Sequence, residues 1–255
     1  MGRRRARTLR RTRAWVRVAL WMAAFAAAAW LAYSLARSRP QDVPWTDLDF
    51  AQPIGMFTGR KLAALGEDSA QCRLLLDRAG IRTASVPPRG AAQCLFADGV
   101  RFTPGGARTT PWHPQAPPIA CPVAAALALW EWHVVQPAAR VHLKTGIAGI
   151  DHLGSYSCRR MYGRGDGRWS EHSTGDAIDI AAFRTRDGRR VSLIADWNGA
   201  RGADGAARAA FLRAVRDGAC DVFATVLSPD YNAAHRDHLH LDQARRGALG
   251  GSACR

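Results

Sequence analysis

Lysine is almost missing from this 255-residue chain, where Lys61 and Lys144 are the only two. Their scarcity disposes of one tempting signal. Lys144-Thr145-Gly146 spells the KTG box of penicillin-binding proteins, but those enzymes also need a serine three residues before a lysine. Thr58 and Val141 stand at that distance instead. No two cysteines form a C-x-x-C pair, which removes zinc ribbons and thioredoxin-type redox sites. No helix pattern follows the glycines at 163, 165 and 167, so they do not make a phosphate-binding turn. Position 6 is Ala rather than Ser or Thr, which leaves N-terminal myristoylation unsupported. No nucleic-acid motif accompanies the positive charge, and the chain has no internal repeat.

What is present begins with arginine. The formal net charge is +15, and Arg3, Arg4, Arg5, Arg7, Arg10, Arg11, Arg13 and Arg17 supply eight of those charges, leaving +7 for the rest. From Val18 to Ala36 there is then no charge at all. A helix over that segment is about 28 Å long, close to the ~30 Å hydrocarbon core of a bilayer. Trp15, Trp30 and Tyr33 suit its interfaces, and Arg37 and Arg39 close the far end. The excess of arginine before the segment predicts a cytoplasmic basic arm (1–17) and one transmembrane helix (18–36) in the inner membrane. The remainder is then periplasmic, so nucleic acid is not an expected partner. A cleaved signal peptide is the alternative, although its apolar region runs only ~7–15 residues. Either reading exports the rest.

Export changes how the six cysteines read. Cys72, Cys94, Cys121, Cys158, Cys220 and Cys254 all lie beyond the apolar segment, and an even count in an oxidising compartment implies three disulfides. Of the fifteen pairings six cysteines allow, the expected set is Cys72–Cys94, Cys121–Cys158 and Cys220–Cys254.

Hydrophobic residues make up 47% of the chain and charged residues 22%, enough for a packed core. Residues 37–52 read as a linker and 53–116 as an N-terminal elaboration of the exported domain. A main boundary is expected near the prolines at 111, 114, 117 and 118. Ser69–Ala79 predicts a short helix with Leu74, Leu75 and Leu76 inward and Gly80 as its stop. Cys94–Phe102 predicts short strands about the Asp98-Gly99 turn, and Pro104-Gly105-Gly106 reads as punctuation. Pro122 opens a second helix that Pro137 ends. Strands follow over 140–156, Ile178–Phe183, Arg189–Ile194, Val222–Leu227 and His238–Asp242, with an amphipathic helix from Ala206 stopped by Gly218. This order implies an α+β domain (117–255) with a small, mostly antiparallel sheet flanked by helices.

Two groups carry chemistry. In Ser170-Glu171-His172-Ser173-Thr174-Gly175-Asp176-Ala177-Ile178-Asp179, His172 and Asp179 stand seven apart with a glycine between. In His235-Arg236-Asp237-His238-Leu239-His240-Leu241-Asp242, strand alternation puts His238, His240 and Asp242 on one face and Leu239 and Leu241 on the other. A stripe of His and Asp on an apolar strand costs burial energy unless something satisfies it. His, Asp and His form an ordinary catalytic zinc set that keeps one position open. His172, Asp179 and His240 are therefore the candidate ligands of one Zn2+. Asp237, three before His240, is the candidate base. His152 and His235 either extend the site or are structural.

The S-x-H-x-x-G-x-A-x-D string and the following D-H-x-H resemble the LAS metallopeptidases, which include D-alanyl-D-alanine carboxypeptidases, D-Ala-D-Ala dipeptidases and murein endopeptidases. Within that group, the stretch from Cys121 resembles the bacterial extensin-like C-terminal domain family. It does so through Cys121-Pro122-Val123-Ala124, Gln136-Pro137-Ala138-Ala139, Gly154-Ser155-Tyr156-Ser157-Cys158-Arg159 and Tyr231-Asn232-Ala233-Ala234-His235-Arg236-Asp237-His238. The resemblance implies an LAS or hedgehog-like zinc peptidase fold. It implies zinc ligation by His172, Asp179 and His240, Asp237 as general base, and His238 beside the substrate or assisting proton transfer. Arg159, with Arg160 in reserve, stabilises the developing oxyanion on this reading. Ser170 supports the ligand loop, and His235 lies close by. The implied activity is zinc-dependent hydrolysis of D-amino-acid-containing peptide bonds in peptidoglycan stems, by a D,D-carboxypeptidase or murein endopeptidase. The alternative is a non-catalytic wall-binding or structural module that retains the metal site. A closed shell completed by His235 or His238 would mark it.

Overall fold

A computed structural model describes residues 2–107, 110–199, 202–245 and 252–255, with side chains from residue 13 onward. Helix α1 (Gly2–Ser38) contains the charge-free segment, and its window Arg13–Ser38 is the one described helix long and apolar enough to cross a membrane. Trp21, Phe25 and Trp30 on it stay exposed, so no protein surface covers them. A short 3-10 turn (Pro40–Asp42), α2 (Thr58–Ala64) and α3 (Ser69–Arg78) follow. Then come β1 (Ile81–Ser85), β2 (Gly99–Gly106), β3 (Trp112–His113), β4 (Ile119–Ala120) and α4 (Cys121–Trp130).

α4 is the centre of the domain. Every one of its residues is buried, as expected of a helix apolar on all sides. Asp98 accepts a hydrogen bond from the Cys121 N–H at its start, satisfying one of the orphan donors there. The helical path does not stop at Pro137. It passes through a π-turn (Glu131–Val135), α5 (Gln136–Ala138) and a second π-turn (Ala139–Leu143), ending at Lys144 in the left-handed region. Proline lacks an N–H and its ring crowds the carbonyl one turn back. The wider turns on either side accommodate that defect without ending the helix.

The remaining elements are β5 (Ile147–Gly154), β6 (Ala177–Thr185), β7 (Arg190–Ser192), α6 (Leu193–Asp196), α7 (Gly205–Ala219), β8 (Thr225–Leu227), β9 (Leu239–Asp242) and β10 (Ala253–Cys254). β1, β2 and β4 form a three-stranded antiparallel sheet. The larger, open sheet has seven strands in the order β10-β8-β9-β6-β5-β3, with β7 beside β6. Its pairings are antiparallel except at the two ends, β10–β8 and β3–β5. The fold is thus mixed α+β with helices flanking the sheet. Trp130, Phe183, Phe211 and Phe223 pack edge to face or tilted in the core.

Several expectations change. Leu74 is 41% exposed while Cys72, Leu75 and Leu76 are buried, because three consecutive helical residues cannot share one face. Pro104, Gly105 and Gly106 do not interrupt the chain but complete β2. Gly218 does not stop α7, which runs on to Ala219. A Cβ there would meet Val134 Cγ1 at 2.5 Å, so the glycine permits close packing on the π-turn. Residues 37–52 send Leu48 and Phe50 into the core. The disulfides are Cys72–Cys121, Cys94–Cys158 and Cys220–Cys254, so the first two expected pairs are wrong and the third is present. α3 lies on α4 and brings Cys72 to Cys121, whereas Cys94 reaches the loop before the ligand turn. Residues 53–116 and 117–255 therefore share one core.

Candidate metal centre

Strand register creates half of the centre. Asp179 on β6 pairs directly with His240 on β9, with Ile178 opposite Leu241 and Ile180 opposite Leu239. Alternation sends the four aliphatic side chains into the core and leaves Asp179, His240 and Asp242 on the other face. The other half is a 3-10 turn, Glu171–Thr174, that carries His172. Ser170 caps it by accepting the His172 N–H at 3.3 Å, and Gly175 closes it at φ +75°. A Cβ on Gly175 would lie 2.7 Å from the Phe96 ring, so backbone and packing both require glycine. Phe96 stacks on Tyr156, whose hydroxyl donates to the Cys94 carbonyl. The N-terminal elaboration thus buttresses the ligand turn.

The three candidate ligands present one atom each to a common point. His172 Nε2 lies 3.2 Å from Asp179 Oδ1 and 3.1 Å from His240 Nδ1, and His240 Nδ1 lies 3.1 Å from Asp179 Oδ1. Each imidazole spends its N–H elsewhere. His172 Nδ1 donates to the Ser155 carbonyl, and His240 Nε2 donates to Asp242 Oδ2 at 3.0 Å. Three lone pairs then face one another with no hydrogen among them. That arrangement repels unless a cation occupies its centre. Bonds of about 2.0–2.1 Å to a tetrahedral zinc separate ligand atoms by roughly 3.3 Å, close to the observed edges. The outer partners fix which nitrogen is free, as they do in histidine metal sites generally. The residues fit a divalent metal.

The electrostatics agree. Burial opposes charge on His240, but Asp179 and Asp242 outweigh it and push its pKa up to about 9. Burial also opposes charge on Asp179, yet hydrogen bonds to His172 and His240 hold it well below the usual carboxylate range. Without metal, this cluster draws in a proton. His235 goes the other way, down to about 4, through burial and then the neighbouring charges of His238 and His240.

The donors open into a cleft of about 420 Å³. Its floor includes His235 and His238. Asn232 Oδ1 accepts from His235 Nδ1 at 2.8 Å. His238 Nδ1 donates to Asp237 Oδ1 at 2.9 Å, and His238 Nε2 lies 3.6 Å from Asp179 Oδ1. Asp237 itself is not among the residues that line the cleft. The loop bearing these residues is held by Asp230, which accepts from Trp197 Nε1 and Arg213 Nη1. Arg159 lines the cleft; Arg160 instead stacks on Trp169, its guanidinium carbon 4.5 Å from the ring centre. Neither His235 nor His238 joins the three-donor group among the described residues. His152 lies elsewhere, its Nε2 donating to the Gln115 carbonyl and its ring packed on Trp112.

Some participants gave little warning in sequence. Ser155 acts through its carbonyl, which any residue carries. Tyr162, Tyr231, Arg168 and Arg255 also line the cleft, and Tyr162 and Tyr231 are joined through their hydroxyls. Asp242 was visible, because strand alternation already put it on the face of His240.

No curated protein and no solved structure matches this chain. A family model does, over residues 70–255, which include every strand among the described residues, all six cysteines and the whole candidate metal centre. The chain belongs to the family described as the extensin-like protein C-terminus.

Proposed function

We propose that this protein is a zinc-dependent peptidase, held by α1 in the inner membrane with its N-terminus cytoplasmic and its domain periplasmic. It hydrolyses D-amino-acid-containing peptide bonds in peptidoglycan stems. The observation that carries the reading is a three-donor site with no fourth protein donor among the described residues, opening into a cleft. A purely structural zinc site is normally closed by four protein ligands. Zinc bound there supplies a Lewis acid for a carbonyl oxygen and lowers the pKa of the attacking water. His172, Asp179 and His240 hold the ion, while Ser155 and Asp242 keep the two rings oriented and Ser170 keeps the ligand turn in shape.

Asp237 and His238 act as one proton-handling pair. Asp237 fixes the His238 ring by accepting its Nδ1 hydrogen, leaving Nε2 to take a proton from water and return it to the leaving amine. Arg159 is the donor for the developing oxyanion. Arg159, Arg168 and Arg255 line the cleft with two acids outside the three donors, Glu171 and Asp242, the second already engaged by His240. That balance suits the carboxylates of peptide stems. The likeness to LAS peptidases rests on the ligand and base strings and on this geometry.

A wall-binding module without catalysis is the second reading, favoured by the position of Asp237 outside the cleft lining. Mass spectrometry of sacculus fragments incubated with the zinc-loaded protein separates the two. Peptidase action predicts new stem products that vanish with chelator and fall sharply in Asp237→Asn and His238→Ala. Products unchanged by chelator, or no products under any metal condition, would overturn it.

A further inference from the structure

The chain between α1 and α2 is clamped. Arg39 N donates to the Leu35 carbonyl, so helical bonding reaches the 3-10 turn at Pro40–Asp42. Gln41 is buried and donates to the Asp49 carbonyl. Lys61 on α2 reaches back to the Pro40 carbonyl at 2.7 Å and to Thr46 Oγ1 at 2.9 Å. Residues 55–57 are pinned to the same turn: Met56 N donates to Asp42 Oδ1 at 2.8 Å and Phe57 N to the Gln41 carbonyl at 2.9 Å. Gly55 approaches so closely that a Cβ there would lie 2.5 Å from Asp42 Oδ1. Leu48 and Phe50 then anchor the segment in the core.

Two side chains project from this clamp. Trp45 and Met56 are each 81% exposed, more than any other large apolar side chain among the described residues, α1 included. They lie on separate stretches of chain, 42–46 and 55–57, both bonded to the turn that follows α1. The remaining exposed aliphatics of the domain, such as Val141, Leu153 and Ile194, are scattered and need no explanation. Tryptophan concentrates at membrane interfaces because its ring is apolar with one polar edge. Arg37 and Arg39 flank the same exit, and long basic side chains reach phosphate from there.

We propose that the foot of the domain, centred on Trp45 and Met56, is a membrane-contact surface seated in the headgroup layer of the bilayer that α1 spans. The clamp then holds the domain in one orientation on that bilayer instead of letting it swing on a tether. The proposal rests on the reading of α1 as a membrane helix, and its occupant is lipid because the surface continues directly from the end of that helix.

The test uses the full chain in phospholipid nanodiscs. Trp45→Cys, Met56→Cys, Ile194→Cys and Phe25→Cys variants are each nitroxide-labelled, and their collision rates with oxygen and with a water-soluble nickel complex are compared. Contact with lipid predicts nickel collision rates at 45 and 56 several-fold below that at 194, and oxygen rates intermediate between 194 and 25. A water-like signal at either 45 or 56, with 25 lipid-like, overturns the surface but spares the membrane helix. A water-like signal at 25 overturns both. Spin–spin broadening at 45 or 56 that disappears on dilution with unlabelled chain puts a second copy on the surface and also overturns it.

Discussion

On one face of the β6–β9 pair lie Ile178, Ile180, Leu239 and Leu241, none measurably exposed; on the other, one residue along, lie Asp179, His240 and Asp242. The backbone ladder is common to both. The apolar face gains by removing hydrocarbon from water, roughly 1.5–3 kcal/mol for each large side chain. The polar face spends stability, gathering carboxylates and imidazoles that only a cation reconciles. Folding and chemistry are therefore separable by parity along a single strand.

Breaking the polar face should have the largest effect. On the proposed zinc reading His240→Ala removes a ligand, so bound zinc per chain after dialysis should fall from one equivalent to none by elemental analysis. Ile180→Ala, one residue from a ligand but on the other face, costs about 2–5 kcal/mol in urea unfolding. The folded fraction should still bind one zinc; loss of zinc in proportion to neither stability nor fold would contradict the separation. Asp242→Asn weakens the partner that orients His240 and should lower metal affinity about 10–100-fold, read by competition with a chromophoric chelator.

The smallest effect concerns two aspartates three residues apart. Asp179 is kept ionised by its imidazoles, whereas Asp176 has none. Burial, supplemented by Asp98 and Glu171 and opposed by the Thr174 hydroxyl, raises Asp176 to about 7. Its folded pKa exceeds its unfolded one, so the folded state holds the proton more tightly. The resulting stability is present below about pH 4 and lost as pH rises toward 7, on the order of 2–4 kcal/mol. Asp176→Asn should flatten stability between pH 5 and 8 and raise it at pH 8. An unchanged slope in urea titrations would show that another group sets it.

What could be read from sequence follows the range of the interaction. The apolar span declares itself by an uninterrupted lack of charge, and the alternation of Leu239-His240-Leu241-Asp242 by period. Gly175 is visible as the glycine between His172 and Asp179, but its contact with Phe96 has no local sign, because that ring arrives from 79 residues away. Pro137 misled because a local rule about a missing N–H was answered by π-turns packed on α7. Residues 37–52 lack periodicity, so Gln41 gave no hint that it would be buried and hydrogen-bonded. The pairing of Asp237 with His238 and its absence from the cleft lining depend on a loop held by Asp230 and Trp197, which no local pattern encodes.

Two of the disulfides interleave: Cys72 pairs with Cys121 across the span in which Cys94 pairs with Cys158. In the proposed orientation, with the N-terminus held in the cytoplasm and the segment after α1 exported in chain order, Cys72 and Cys94 reach the oxidising side before either native partner arrives. The earliest bond open to the chain, Cys72–Cys94, is one the finished protein does not contain. Sealed early, it would withhold Cys94 from the loop beside the ligand turn. Export in that proposed orientation calls for either a delay in oxidation or an enzyme that reshuffles sulfur. Acid-trapping of thiols during oxidative refolding should catch the Cys72–Cys94 form first, and a disulfide isomerase should shorten its life.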